Sequence, residues 1–283
     1  MEWIDRLNHA VAYIEGHLTE EIDYSRAAKE ACCSLYHFQR MFAYMAGIPL
    51  SEYIRRRRMS LAAVELKEKG AKIMDIALKY GYQSPTAFNR AFQSVHEITP
   101  SAAKKKDTPV KFYPPLTFKI IVKGVEELNY RLETKEAFCI TGAVKSLHKT
   151  LEENFQIVPQ MWEEVSKDGT IEKLCAHMDE NQKGVLGVSI CKEGEEWRYM
   201  IGVVAKDGEI PGMTTYEIPA RTWAVFPGKG VCPQAIQELE RRIFTEWLPS
   251  SGYEYDMGPD VEWYHSPNPQ EADFEVWVPV KKS

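Results

Sequence analysis

The chain has 283 residues, 44% hydrophobic and 27% charged, which is enough for two domains of ordinary size, each with its own core. That balance excludes a disordered or fibrous chain, and no apolar run approaches the length needed to span a bilayer. The net charge of -6 argues against a nucleic-acid partner only as an average: residues 28–107 carry 14 Lys and Arg against 7 Asp and Glu, whereas residues 108–283 carry 19 against 28.

Trp3, Ile4, Leu7, Val11, Ile14 and Leu18 fall at helical spacing, so residues 3–18 are expected to form an amphipathic helix packed on the next two helices of the chain. Residues 24–31 read as a short helix, and Ser34 is a good cap for a second over about 35–46. Gly47 closes that helix and Pro49 confirms the break. A longer helix over 51–69, with Ser51 as cap and Gly70 as stop, begins with Arg55, Arg56, Arg57 and Arg58. The pattern then repeats: a helix over 73–80, a turn at Gly81, and a helix from Ser84 to about His96 with Pro85 in its first turn.

Laid over itself at an offset of fifty, the stretch 27–51 matches 77–101 in eight of twenty-five positions: Ala27 with Ala77, Lys29 with Lys79, Ser34 with Ser84, Phe38 with Phe88, Arg40 with Arg90, Phe42 with Phe92, Ile48 with Ile98 and Ser51 with Ser101. Each copy has the shape of a helix-turn-helix. The connecting helix rises roughly 28 Å at 1.5 Å per residue, close to the ~34 Å between successive major-groove faces of B-form DNA, so one chain is expected to present two reading helices to one duplex. The reading face is the amino-terminal part of each second helix: Leu35, Tyr36, Gln39 and Arg40 in the first, Thr86, Asn89 and Arg90 in the second. Arg55 and Arg56 are candidates for phosphate contact, and Phe38, Phe42, Phe88 and Phe92 should face the core.

Three lysines and then prolines at 109, 114 and 115 mark a boundary near residue 108, giving domains 1–107 and 108–283. Beyond it, residues 138–144, 185–191, 197–205, 214–218, 222–226 and 274–280 read as strands, and 150–166 and 233–248 as helices. Two rounds of strand, helix and strands point to an α+β domain of two similar halves. Cys32, Cys33, Cys139, Cys175, Cys191 and Cys232 lack ligand spacing, as do His148, His177 and His265. Free thiols in a reducing cytosol are expected, with no metal and no other cofactor. No secretory leader is visible, so a cytoplasmic location is expected.

The elements "AAKEACCSLYHFQRMFAYMAGIPLSEYIRRRRMSLA" and "IMDIALKYGYQSPTAFNRAFQSVHEITPSAAKK" resemble the DNA-binding domain of AraC/XylS-type transcription regulators, over residues 8–105. The resemblance implies an all-α double helix-turn-helix of about seven helices, with groove-reading positions at Tyr36, Gln39 and Arg40 and at Pro85, Thr86 and Arg90. At Pro85 a polar residue is more usual. Residues 110–283 resemble the GyrI-like effector-binding domain through "YEIPARTWAVFPGKG", "IFTEWLPSSGYEYDMGPDVEWY" and "FEVWVPVK". That likeness implies two pseudo-symmetric halves around a cleft that binds a small cationic or aromatic effector, as in multidrug sensing. Glu262 aligns with the cleft carboxylate, and strand alternation puts Tyr264 on its face. Trp162, Trp197, Tyr199, Tyr216, Trp223 and Phe226 are further candidates for the cleft. The implied partners are double-stranded DNA across two successive major grooves, a small-molecule effector and, for an activator, RNA polymerase, with no membrane. Activation is favoured over repression, and no catalytic residue is expected. The alternative makes the C-terminal domain a hydrolase of strained electrophilic molecules, with Glu262 and Tyr264 as base and acid.

Overall fold

The computed structural model describes residues 3–68, 71–119, 127–191, 195–266 and 268–282, in two compact units, Met1–Lys119 and Ile120–Ser283. The first unit is built of α1 (Trp3–Gly16), α2 (Tyr24–Glu30), α3 (Leu35–Ala46), α4 (Leu50–Leu66), α5 (Ile73–Lys79), α6 (Pro85–His96) and α7 (Pro100–Ala103). Ser34 and Ser84 cap α3 and α6, accepting from the His37 and Ala87 amides. Helix α4 starts one residue before Ser51, with Pro49 as its cap residue, and stops at Leu66; Gly70, the expected stop, lies outside the described residues.

The repeat is not uniform at fifty. The amide of Cys33 reaches the Ala28 carbonyl as that of Tyr82 reaches Ala77, so α2 and α5 correspond at an offset of forty-nine, and Ala28 rather than Ala27 is the partner of Ala77. One extra residue in the second turn restores fifty from Ser84 onward, where Phe38 and Phe42 match Phe88 and Phe92. All four rings are fully buried, each contributing about 1.5–3 kcal/mol of apolar burial. The turns need left-handed backbone at two matching places, and each motif puts a glycine at only one of them. Gly81 has φ +85 where Cys32 has φ +55, and Gly47 has φ +69 where Glu97 has φ +63.

Helix α4 is the shared spine. Tyr53 packs on Phe42 in the first motif, while Met59, Ala62, Ala63 and Leu66 enter the core of the second. Arg57 is buried on α4 and forks onto Glu15 of α1 at 2.7 and 2.8 Å, and the Tyr53 hydroxyl donates to the same carboxylate at 2.6 Å. These groups also fasten the chain after the last helix. The Arg57 guanidinium donates to the Tyr113 carbonyl, the Ser60 and Tyr53 hydroxyls accept from the Tyr113 and Leu116 amides, and Asn8 pairs with both backbone groups of Phe118. The Phe118 ring then meets Phe42 edge-on at 5.7 Å. Residues 108–118, assigned to the second domain from their lysines and prolines, therefore run as a strap on the first unit. A proline-rich segment without sheet partners finds its backbone acceptors and donors in side chains of α1 and α4.

The second unit holds β1 (Arg131–Lys135), β2 (Phe138–Ser146), α8 (Leu151–Lys167), α9 (Thr170–His177), β3 (Val185–Ile190), β4 (Arg198–Val203), β5 (Thr214–Ile218), β6 (Arg221–Gly230), α10 (Gln234–Arg242), β7 (Tyr253–Tyr255), β8 (Asp260–Tyr264) and β9 (Ala272–Lys282). The turn Ile243–Trp247 continues α10 with wider π-type winding. Strand order is β1-β6-β9-β8-β3-β4-β2-β5, all antiparallel, with β7 alongside β9. The order is palindromic. Each half is a strand, helix and two strands (β2, β3, β4 or β6, β8, β9), and the halves abut at β3 and β8. The arm ahead of each half crosses over: β1 precedes β2 but pairs with β6, and β5 precedes β6 but pairs with β2. The two-halves expectation holds, and β8 is a central strand.

Cys32→Gly and Glu97→Gly should each stabilise the helical unit by about 1 kcal/mol, because a side chain in left-handed backbone costs roughly 1–2 kcal/mol and the more flexible unfolded glycine offsets part of it; urea unfolding monitored by far-ultraviolet circular dichroism reads this, and a loss of stability in both would contradict the turn assignment. Burial, and then the Glu15 hydrogen bond, raise the Tyr53 phenol above its ordinary value. The folded state thus holds this proton more tightly, and the stability it confers is full below about pH 10 and lost above. Tyr53→Phe should lower stability at pH 7 and flatten its alkaline decline; an unchanged slope between about pH 9 and 11 would exclude the linkage.

Candidate functional site

Helix α6 presents its first turns outward. Pro85, Thr86, Asn89 and Arg90 are exposed while Phe88 between them is fully buried, as a reading helix anchored by one ring requires. Helix α3 differs. Leu35 is half-buried, and Tyr36, Gln39 and Arg40 are only 8%, 8% and 5% exposed, with the Arg40 guanidinium 5.8 Å from the Tyr44 ring centre. The four arginines of α4 have separate tasks. Arg55 and Arg56 both pair with Glu52 and keep about half and a third of their side chains accessible, and Arg56 also lies over the Tyr113 ring. Arg57 is the buried partner of Glu15, and Arg58 donates to the Leu18 and Glu20 carbonyls after α1.

In the second unit, the seam between the halves carries a compact polar and aromatic group. Glu262 on β8 stands opposite Gly187 on β3. The hydroxyls of Tyr199, on β4, and Tyr264, on β8, both donate to Glu262 Oε2, at 3.0 and 2.9 Å. Above them, Trp162 of α8 donates from Nε1 to the Tyr199 hydroxyl at 3.0 Å and sets its ring edge-on to Tyr264 at 5.0 Å. Burial, and then the charge of Glu262, hold the Tyr264 phenol well above its usual value. Cys232, just ahead of α10, feels the same surroundings: burial first and Glu262 second push its thiol up to about 11.

Gly187 makes the group possible. A Cβ there would lie 2.1 Å from the Tyr199 hydroxyl and 3.1 Å from Glu262 Oε2, so only a glycine lets Tyr199 cross β3 to the carboxylate. A glycine inside a fully buried strand is the one sequence signal for this close approach. The arrangement attracts positive charge: a carboxylate half-removed from water, and bonded by neutral phenols, stands among three aromatic rings.

The remaining candidates lie elsewhere. Trp223 and Tyr216 belong to a cluster with Val261, Trp263 and Trp277, and the alternation along β8 puts Val261 and Trp263 on the face opposite Glu262. Phe226 packs between Tyr130 and Trp247, under α10. Trp197 is buried beside β4 at 3% exposure. Of the cleft candidates, Trp162, Tyr199 and Tyr264 gather at Glu262.

Residues 131–280 match the family model described as "Integron-associated effector binding protein", and residues 27–106 match that described as "Helix-turn-helix domain". Among similar proteins, the HTH-type transcriptional activator AarP of Providencia stuartii is 37% identical over 102 residues, 36% of this chain and 76% of its own length. The regulatory protein SoxS of Escherichia coli K12 is 38% identical over 91 residues, 32% of this chain and 85% of its own. The right origin-binding protein of Escherichia coli K12 is 24% identical over 287 residues, spanning 95% of this chain and 96% of its own. With a double helix-turn-helix ahead of a two-halved effector-binding domain of GyrI-like fold, the chain belongs to the AraC-type transcription regulators.

Proposed function

We propose that this regulator reads one asymmetric DNA site as a single chain and that an organic cation held at Glu262 sets its output. Thr86, Asn89 and Arg90 of α6 supply base contacts in one major groove, with Pro85 fixing the first turn without a polar contact of its own. Helix α3 offers Leu35, Tyr36, Gln39 and Arg40 to the neighbouring groove. Tyr36, Gln39 and Arg40 have to become accessible for that. Helix α4, 17 residues long and about 26 Å in rise, suits the spacing, and Arg55 and Arg56 lie near its start for phosphate. The naming of AarP as an activator favours activation through contact with RNA polymerase. Among the described residues no helix is long and apolar enough to cross a membrane, and a cytoplasmic location goes with the role.

The observation that carries the ligand class is the convergence of two tyrosine hydroxyls on Glu262 beneath Trp162. Charge pairing and ring quadrupoles act together on a cation in such a place. The hydrolytic reading has no support in AarP, SoxS or the right origin-binding protein, none of which is named as an enzyme.

Arg90→Ala should weaken binding to a site selected by the whole protein by roughly 1–3 kcal/mol and relax preference at one base; a mobility shift with unchanged affinity and selection would remove Arg90 from the reading set. For the effector, titration with the fluorescent cation rhodamine 6G should give saturable binding that Glu262→Gln and Gly187→Ala each weaken about tenfold or more. Equal affinity in both folded variants would refute the Glu262 site.

A further inference from the structure

The sheet face opposite Glu262 has a chemistry of its own. Lys135, ending β1, lays its ammonium over three rings at once, 5.3 Å from the centre of Phe138, 4.7 Å from Trp263 and 4.5 Å from Trp277. Its nearest carboxylate oxygen among the described residues is on Glu133 at 3.9 Å, beyond hydrogen-bond reach. On the neighbouring strand β6, Arg221 stands opposite Lys135 and Trp223 opposite Glu133, so all four side chains share one face. Trp223 is fully buried with its indole ring 5.9 Å from that of Trp277, and its Nε1 has no acceptor among the described residues. The Nε of Arg221 is buried and without an acceptor there as well, although its guanidinium reaches Asp256 through another nitrogen. Tyr216 packs against the cluster to which Trp223, Trp263 and Trp277 belong.

Two buried N–H groups with no acceptor among the described residues, beside an ammonium that meets Glu133 only at 3.9 Å and lies over three aromatic rings, are an unusual combination. A buried N–H left without an acceptor costs on the order of 1–3 kcal/mol, and buried polar groups are nearly always satisfied. We propose that this face is a second ligand site, for a flat aromatic carboxylate whose ring lies among Phe138, Trp263 and Trp277 and whose carboxylate accepts from Lys135, Trp223 and Arg221. The charge sense is opposite to that of the Glu262 site. There a carboxylate meets rings and calls for a cation; here an ammonium and two N–H groups call for an acceptor that carries negative charge. Strand alternation puts the Trp223 side chain on this face, since Ala224 and Phe226 on the same strand point the other way.

The test is calorimetric titration of the full chain with 2-naphthoate and, separately, with the trimethylammonium compound of the same ring. Saturable 1:1 binding of the carboxylate is expected, about tenfold weaker in Lys135→Met and several-fold weaker in Trp223→Phe, which keeps an aromatic ring and removes the N–H. Glu262→Gln should leave it unchanged, and the trimethylammonium compound should not compete. Absence of saturable heat in the wild type would overturn the proposal, as a buried water on Trp223 would then account for the donor. Equal affinity in folded Lys135→Met and Trp223→Phe, or loss in Glu262→Gln, would overturn it too. Should Lys135→Met fail to fold by circular dichroism, Lys135→Arg with retained binding beside a weakened Trp223→Phe supports it, and an unweakened Trp223→Phe refutes it. Failure of rhodamine binding at Glu262 bears only on the effector reading.

Discussion

An ionised carboxylate leaves water only when other donors replace the solvent, and that constraint recurs where this molecule is organised. Glu15 accepts from Tyr53 and Arg57, Glu65 from Tyr80 and Lys79, and Glu262 from Tyr199 and Tyr264. The first two tie α4 to the helices on either side of it. In both, a cation of the chain completes the pairing. At Glu262 two phenols donate, one from β4 and one from β8.

Rigidity and strain are distributed with similar economy along the helical unit. Helix α4 contributes to both motif cores, and the strap over 108–118 lies along it from Val110 and Tyr113, packed on the second core, to Phe118 in the first. The strap's bonds to Tyr53, Arg57 and Ser60 end on side chains that also serve elsewhere: Tyr53 and Arg57 hold Glu15, and Ser60 bonds its own helix at the Arg56 carbonyl. Spacer, anchor and strap therefore form one cooperative element, and a change at Arg57 would be felt in both motifs.

Much of this is legible in the residues because local chemistry decides it. Serine caps, Gly47, Gly81 and the four-apart phenylalanines set α3 and α6 in place, and β5 falls where the Thr214–Ile218 pattern puts it. Other features depend on distant partners and leave no local trace. The forty-nine-residue offset of the first helices is masked by chance identities at Ala27 and Lys29. The boundary after residue 119 rests on hydrogen bonds from Asn8 and Tyr53, far away in sequence, to a segment whose composition reads as a free linker. Strands β1 and β7 are too short and too charged to show a strand pattern, and α9 is a helix that the pattern of the second domain does not announce. At the cleft, Glu262, Tyr264 and Trp162 come together, whereas Trp223 and Tyr216 are separated from them by the parity of their strands, which aromatic content alone does not reveal. Tyr199 needs Gly187 to reach the carboxylate; the glycine marks a close approach in the sequence, but which side chain makes it shows only across the strand pair.

The crossed arms of the second unit have a consequence for how its halves relate. Since β1 completes the far half and β5 completes the near one, neither half possesses all of its own sheet, and each supplies the edge that shields the other. The unit has the connectivity of an arm-exchanged dimer whose two subunits have been joined head to tail in one polypeptide. Cleaving the joint would not yield two independent modules, and the seam between β3 and β8, with its carboxylate, exists only while both are interlocked.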